Sequence, residues 1–111
     1  MKLTLVTLLA ALALNMSGAD ANTHRSMVCY NVKYIGVPPA RSEITNKDAT
    51  RCACKLYRER NTGDEKWDQC PDCEFNESKD RCISEGEHLG GKEMEEYCVK
   101  HCDSDGARAR G

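Results

Sequence analysis

The sequence predicts a small disulfide-rich α+β domain in which a C-terminal helix is stapled across a short antiparallel sheet. Three observations support this fold class: an apolar leader opens the chain, all eight cysteines follow it, and two cysteine pairs match in spacing. Side chains two residues apart in a strand lie about 6.6 Å apart on one face, and side chains four apart on a helix lie about 6 Å apart. Cys52 and Cys54 therefore match Cys98 and Cys102.

Residues 1–21 have the layout of a secretory signal peptide. Lys2 gives the positive start, an apolar run follows, and the small residues Ala19 and Ala21 suit a signal peptidase that cleaves before Asn22. The apolar run is shorter than the roughly 20 residues that span a bilayer. We therefore expect a secreted protein with no membrane span.

An even number of cysteines behind a signal peptide is typical of a disulfide framework formed in an oxidising compartment. A domain over residues 22–102 is too small for its core alone to hold the fold, so disulfides are expected to stabilise it. We expect Cys52 and Cys54 to pair with Cys98 and Cys102. The other four cysteines would then pair among themselves, namely Cys29, Cys70, Cys73 and Cys82.

In the first half of the domain, residues 28–35 alternate apolar and polar side chains, which predicts a half-buried strand. Gly36, Pro38 and Pro39 end it, and residues 40–49 read as a loop. Residues 50–60 alternate again, with Cys52 and Cys54 on one face. Turn residues follow around Gly63, so residues 50–70 predict a β-hairpin.

In the second half, residues 74–80 are polar and predict a loop, and residues 82–84 predict a brief strand. Residues 92–102 are rich in helix formers, with acidic residues at the start and Lys100 and His101 at the end, which suits the helix dipole. Residues 103–111 are polar and glycine-rich. We expect them to form a flexible tail.

The pair Cys70 and Cys73 matches the redox-active C-x-x-C pattern, but no apolar helix follows it, so a structural role is favoured. Zinc sites could be assembled from Cys70, Cys73, Cys82 and His88, or from Cys98, His101 and Cys102, yet the secretory context favours disulfides. No metal or other cofactor is predicted. Because no nucleophile motif is present and so small a domain leaves little room for a substrate cleft, we expect no enzymatic activity.

A basic cluster in the predicted hairpin is the candidate binding surface, formed by Arg58 and Arg60 together with Trp67. It could face a polyanion such as a cell-surface glycan, although an ordinary solvated strand face explains the same pattern. The net charge of −2 gives no support for nucleic-acid binding. Asn76 fits the acceptor pattern for N-glycosylation. We expect a monomer.

The C-x-C strand at Cys52 and Cys54 facing a C-x-x-x-C helix at Cys98 and Cys102 resembles the cystine-stabilised αβ proteins, such as defensins and scorpion-type toxins. The order of the two motifs is reversed here, because in that family the helical pair comes first. The resemblance implies only a similar local geometry.

The whole layout resembles the small secreted cysteine-rich effectors of plant-pathogenic fungi: a short signal, a small mature domain, eight cysteines and few aromatic residues. This resemblance implies a protein that acts during infection, in the host apoplast or at the host-pathogen interface, by binding a host protein or a cell-wall glycan. The alternative is an animal venom or defence peptide, either a channel-directed toxin or a protease inhibitor with residues 37–41 as its exposed loop.

Overall fold

A computed structural model describes residues 23–110 as an antiparallel sheet packed against two helical segments. In chain order the strands and α-helices are β1 (Thr23–His24), β2 (Ser26–Ile35), β3 (Ala40–Thr45), α1 (Lys47–Arg58), β4 (Glu74–Asn76), β5 (Arg81–Ile83), β6 (Leu89–Gly90), α2 (Gly91–Glu96) and β7 (Gly106–Ala109). A 3₁₀ turn spans Lys66–Asp68, and α2 continues into a π-helical turn over Tyr97–His101. The predicted fold class is confirmed. The predicted signal peptide lies outside the described residues.

Strand β2 is the centre of a five-stranded antiparallel sheet, and its alternating sequence is confirmed as a strand. Met27 is paired with both Cys82 of β5 and Ala109 of β7, and Tyr30 is paired with both Thr45 of β3 and Gly106 of β7. A strand residue has one neighbour on each edge. Strand β7 therefore covers one edge of β2, while β5 and β3 follow one another along the other edge, and β4 pairs with β5.

The predicted strand over residues 50–60 is wrong, because this segment belongs to helix α1. Asn46 caps the helix, its Oδ1 accepting a hydrogen bond from the N–H of Ala49 at 2.9 Å. Ala49, Ala53 and Tyr57 follow at helical spacing and are buried. The predicted hairpin over residues 50–70 is therefore absent, and the segment around Trp67 forms the 3₁₀ turn instead of a strand.

Three other local expectations are corrected. The predicted loop over residues 40–49 contains β3 and the start of α1, and the predicted loop over residues 74–80 contains β4. The C-terminal tail, expected to be flexible, forms β7, whose pairing with β2 supplies backbone partners that a polar sequence does not reveal. The predicted C-terminal helix is present as α2 and the π-helical turn.

All eight cysteines are bonded in four disulfides: Cys29–Cys98, Cys52–Cys102, Cys54–Cys82 and Cys70–Cys73. The expected link between Cys52 and the C-terminal segment is present. The expected link from Cys54 to that segment is wrong, because residues two apart on a helix point about 200° apart. Cys54 points into the core and bonds Cys82 of β5, and Cys98 bonds Cys29 of β2 instead.

The core lies between α1, the sheet and α2, and its largest fully buried apolar side chains are those of Tyr57, Met27, Leu89 and Met94. Most of the other core residues are cysteines, so the disulfides form much of the interior that they stabilise. Among residues 23–110, no helix is long and apolar enough to cross a membrane.

Candidate functional site

The hairpin formed by β2 and β3 extends beyond the helices as an arm, defined here as residues 31–44. Its strands pair in register from Asn31 opposite Ile44 to Ile35 opposite Ala40. The arm carries four exposed large apolar side chains: Val37 is fully exposed, Tyr34 is 69 % exposed, Ile35 is 56 % exposed and Ile44 is 41 % exposed. Isolated exposed apolar residues are ordinary, whereas a group on one projecting element indicates a contact surface.

These side chains occupy both faces of the arm. Paired residues of neighbouring strands share a face, so Tyr34 lies beside Arg41 on one face, while Ile35 lies beside Ala40 on the other. Ile44 is on the same face as Ile35, and Val37 lies in the turn between the strands. A partner could therefore close around the arm from either side.

The turn at the tip is shaped by residues with restricted or special backbone conformations. Gly36 has a φ of +94°, which side-chain-bearing residues rarely adopt. Val37 precedes Pro38 through a cis peptide bond, and neither Pro38 nor Pro39 has a backbone N–H. The rings of Pro38 and Pro39 restrict the backbone φ angles directly after the fully exposed Val37.

On the edge of β2 that pairs with β7, the backbone of the arm continues past the end of β7. The N–H of Asp105 donates to the carbonyl of Tyr30 at 2.9 Å, and the N–H of Val32 donates to Oδ2 of Asp105 at 2.7 Å. Because backbone groups point alternately to the two edges of a strand, the N–H and C=O of Tyr34 point to this same edge, past the end of β7. The arm thus offers a strand edge beside its exposed tyrosine.

An ionic network fixes the base of the arm. Glu43 of β3 accepts from Arg41 at 2.7 Å and from Arg108 of β7 at 3.1 Å, so that one carboxylate joins strands on both sides of β2. The hydrogen bond from Arg41, together with the charges of Arg41 and Arg108, lowers the pKa of Glu43 below its ordinary value. The network links the arm to β7 on the other side of β2.

The three residues of the sequence-predicted binding surface have different environments. Arg58 is exposed at the end of α1. Arg60 is half-buried, donates to the hydroxyl of Tyr97 at 3.2 Å and lies 5.8 Å from the ring centres of both Tyr57 and Tyr97. Trp67 is half-buried beside Gly90. Of the three, Arg58 presents its charge most openly, and the binding role of the set stays a prediction.

Asn76 ends β4 and is half-buried. Its Oδ1 accepts hydrogen bonds from the hydroxyl of Ser78 at 2.8 Å and from the N–H of Lys79 at 2.9 Å, so the side chain belongs to a tight local turn. Glycosylation at this position stays a prediction.

Residues 37–41 are exposed, as the sequence predicts, but the sequence pattern does not identify Tyr34, Ile35 and Ile44 as surface residues. Strand alternation predicts that one face is buried, and that rule holds only where another element covers the strand. A signal was present, since Ile35 and Val37 directly flank Gly36 with no polar residue between them. Because turns lie on the surface, apolar residues on both sides of a turn glycine are candidates for exposure.

Fold and surface together define a class of protein: a small disulfide-stabilised body that presents a projecting apolar arm. Residues 22–110 match the family described as Biotrophy-associated secreted protein 4, and the chain belongs to this family. The chain is 30 % identical over 107 residues to Biotrophy-associated secreted protein 4 of Pyricularia oryzae, a match that covers 96 % of this chain and 92 % of that protein. No solved structure matches the chain significantly.

The family assignment confirms two expectations from the sequence. The protein is secreted, and it is similar to the effectors of plant-pathogenic fungi. The venom and defence-peptide alternative gains no support, because the matching relative is a fungal protein. The chain is therefore an effector-like extracellular protein of a biotrophy-associated family.

Proposed function

We propose that the protein acts during infection by binding a host protein through the arm, without catalysing a reaction. The observation that carries this proposal is the full exposure of Val37 at the tip, with Tyr34 and Ile35 more than half exposed behind it. Burying apolar surface releases roughly 25 cal/mol per Å², so an exposed apolar group of this kind contributes most of its binding energy when a partner encloses it.

The side-chain chemistry favours a protein over a glycan as the partner. Valine, isoleucine and proline offer no hydrogen bonds to sugar hydroxyls, whereas protein interfaces enclose apolar anchors at their centre. The strand edge at Tyr34 adds backbone groups that a host strand could pair with. We place the encounter in the host apoplast or at the host-pathogen interface, with the protein acting as a monomer.

A photo-crosslinking amino acid placed at position 37 tests this proposal in leaf tissue infiltrated with the purified protein. The matched control carries the same group at Glu95, which is exposed on α2 and is not part of the arm. We expect position 37 to capture a discrete host protein that position 95 does not capture. The capture should be lost when Tyr34→Ser and Ile35→Ser are added, and it should persist with Lys55→Ser, at an exposed position of α1 outside the arm.

Two results would overturn the proposal. Equal crosslinking from positions 37 and 95 would show that the arm has no special role. Binding to isolated cell walls that survives Tyr34→Ser and Ile35→Ser but is lost with Arg58→Ala would instead assign the function to glycan recognition by the α1 end.

A further inference from the structure

Three buried sulfur atoms from two different disulfides lie together beneath α1. The Sγ atoms of Cys54, Cys73 and Cys82 are all within 4.8 Å of one another. Cys54 and Cys82 are bonded to each other, while Cys73 is bonded to Cys70. Because all three cysteines are in disulfides, they have no thiolate to bind a metal ion. Their closeness matters for thiol-disulfide exchange instead, since a free thiolate at Cys73 would lie beside the Cys54–Cys82 disulfide.

The two disulfides constrain the protein very differently. Cys70–Cys73 closes a turn in which the N–H of Cys73 donates to the carbonyl of Cys70 at 3.1 Å, and the intervening Pro71 and Asp72 are exposed. Closing so short a loop contributes little chain entropy, so this bond can open without unfolding the domain. Cys54–Cys82 instead joins α1 to β5 through the core.

The charges around the two sulfurs of the turn are opposite in sign. A groove of about 140 Å³ is lined by Cys54 and Cys73 together with the three cations Arg51, Lys55 and Arg58 and the single anion Glu74, so its charged lining is mainly positive. Oδ1 of Asp72 lies 3.5 Å from Sγ of Cys70. Positive charge favours a thiolate and negative charge disfavours it, so opening the turn leaves the negative sulfur preferentially on Cys73.

We propose that the Cys70–Cys73 turn and the Cys54–Cys82 disulfide form a thiol-disulfide exchange site, opened by an external thiol of the glutathione or dithiol class. The external thiolate attacks Sγ of Cys70, the Cys70–Cys73 bond breaks, and its electron pair leaves on Cys73 while Cys70 stays in a mixed disulfide. The Cys73 thiolate then attacks Sγ of Cys54 or Cys82. A new bond forms, and the released sulfur leaves as a thiolate that takes a proton from water.

The second step replaces one disulfide by another, so it needs no oxidant or reductant. All four sulfurs are buried, so an external thiol needs a local opening, and the short Cys70–Cys73 turn, whose Pro71 and Asp72 are exposed, opens most readily. Cys73 is then the nucleophile within reach of Cys54 and Cys82. The product no longer joins α1 to β5 directly. Helix α1 remains attached through Cys52–Cys102, so exchange loosens one side of the helix while the other stays fixed.

The test uses two single substitutions that differ only in where they leave the free thiol. Cys70→Ser leaves it on Cys73 inside the three-sulfur cluster, and Cys73→Ser leaves it on Cys70 outside that cluster. Each folded variant is incubated at mildly alkaline pH, labelled with iodoacetamide and mapped by mass spectrometry without reduction. We expect roughly tenfold more label at Cys54 and Cys82 in Cys70→Ser than in Cys73→Ser, together with new bonds from Cys73 to either residue.

If the label in Cys70→Ser is found only at Cys73, the proposal is overturned. It is also overturned if Cys54 and Cys82 are labelled equally in both variants, because that result indicates general disulfide scrambling. If Cys70→Ser does not fold, wild-type protein opened with limiting dithiothreitol gives the same information. Trapped species with Cys73 bonded to Cys54 or Cys82 would support the exchange. Trapping of free Cys70 and Cys73 alone would contradict it.

Discussion

The hydroxyl of Tyr57 lies 2.8 Å from the carbonyl oxygen of Trp67, at a point where the tyrosine is wholly buried. The same oxygen lies 3.1 Å from the carbonyl of His88 and accepts the N–H of Gly90 at 3.0 Å. One phenol on α1 therefore satisfies backbone groups of two segments that contain little regular structure. Burial raises the pKa of Tyr57 to about 12, so the phenol remains a donor throughout the physiological range.

Replacing Tyr57 by phenylalanine removes these hydrogen bonds while keeping the ring. Because the Gly90 N–H and the two carbonyls are left without the phenol, we expect a loss of about 1–3 kcal/mol in the free energy of unfolding. Urea denaturation followed by circular dichroism measures it. Tyr97→Phe is the control, since it removes a single bond from the half-buried Arg60 and should cost less. Equal losses would contradict this account.

Substitution by alanine should have opposite effects on stability at two glycines, Gly106 and Gly91. A Cβ on Gly106 would lie 2.5 Å from the hydroxyl oxygen of Tyr30, whereas a Cβ on Gly91 in the first turn of α2 would meet nothing within 4 Å. Gly106→Ala should destabilise the protein by about 1–3 kcal/mol through overpacking against Tyr30. Gly91→Ala should be neutral or stabilise by up to about 1 kcal/mol. Thermal unfolding of both variants compares them, and a stable Gly106→Ala would show that Tyr30 can move aside.

The ionic network at the base of the arm predicts a pH dependence. The folded protein lowers the pKa of Glu43 below 4.5, so the associated stability is present above the unfolded-state pKa and is lost as the pH falls through the folded-state value. Between about pH 6 and about pH 3, wild type should lose more stability than Glu43→Gln, which has no charge to lose. Urea midpoints at several pH values measure the difference. Parallel pH profiles would show that the network contributes nothing.

The exposed tip of the arm should be dispensable for folding. Val37 is fully exposed, so Val37→Ser should change the free energy of unfolding by no more than about 0.5 kcal/mol. Met27→Ala, at a buried position of β2, should cost about 2–5 kcal/mol. Chemical denaturation of the two variants tests the contrast. A strongly destabilised Val37→Ser would mean that the tip serves the fold, and it would weaken the case for a binding surface.

The parts of the fold that were predictable are those in which one local pattern dominates. The alternation in β2 and the charge gradient of the C-terminal helix both identify their elements, because packing and helix electrostatics act along a short stretch of chain. Helix α1 was missed because Cys52 and Cys54 suggest strand spacing. A competing helical stripe was present at Ala49, Ala53 and Tyr57, preceded by the capping residue Asn46.

Long-range pairing was harder to predict, for a physical reason. Strand β7 has few apolar side chains and is held mainly through its backbone pairing with β2 and the contact of Arg108 with Glu43. Backbone groups are the same in every sequence, so composition carries little information about such a strand. The exposure of the arm could not be predicted for a related reason, since the sequence of β2 does not show which of its residues are covered by other elements.

The pairing of β7 also determines where the two ends of the folded body lie. The N–H of Arg110 donates to the carbonyl of Ser26 at 2.8 Å, so both ends meet at the start of β2. The tip of the arm lies beyond the other end of this ten-residue strand, about 30 Å away at the usual rise per residue. A fluorescent reporter or affinity tag joined at either end would therefore leave the arm clear, and fusion proteins can be used to follow the protein in infected tissue without masking it.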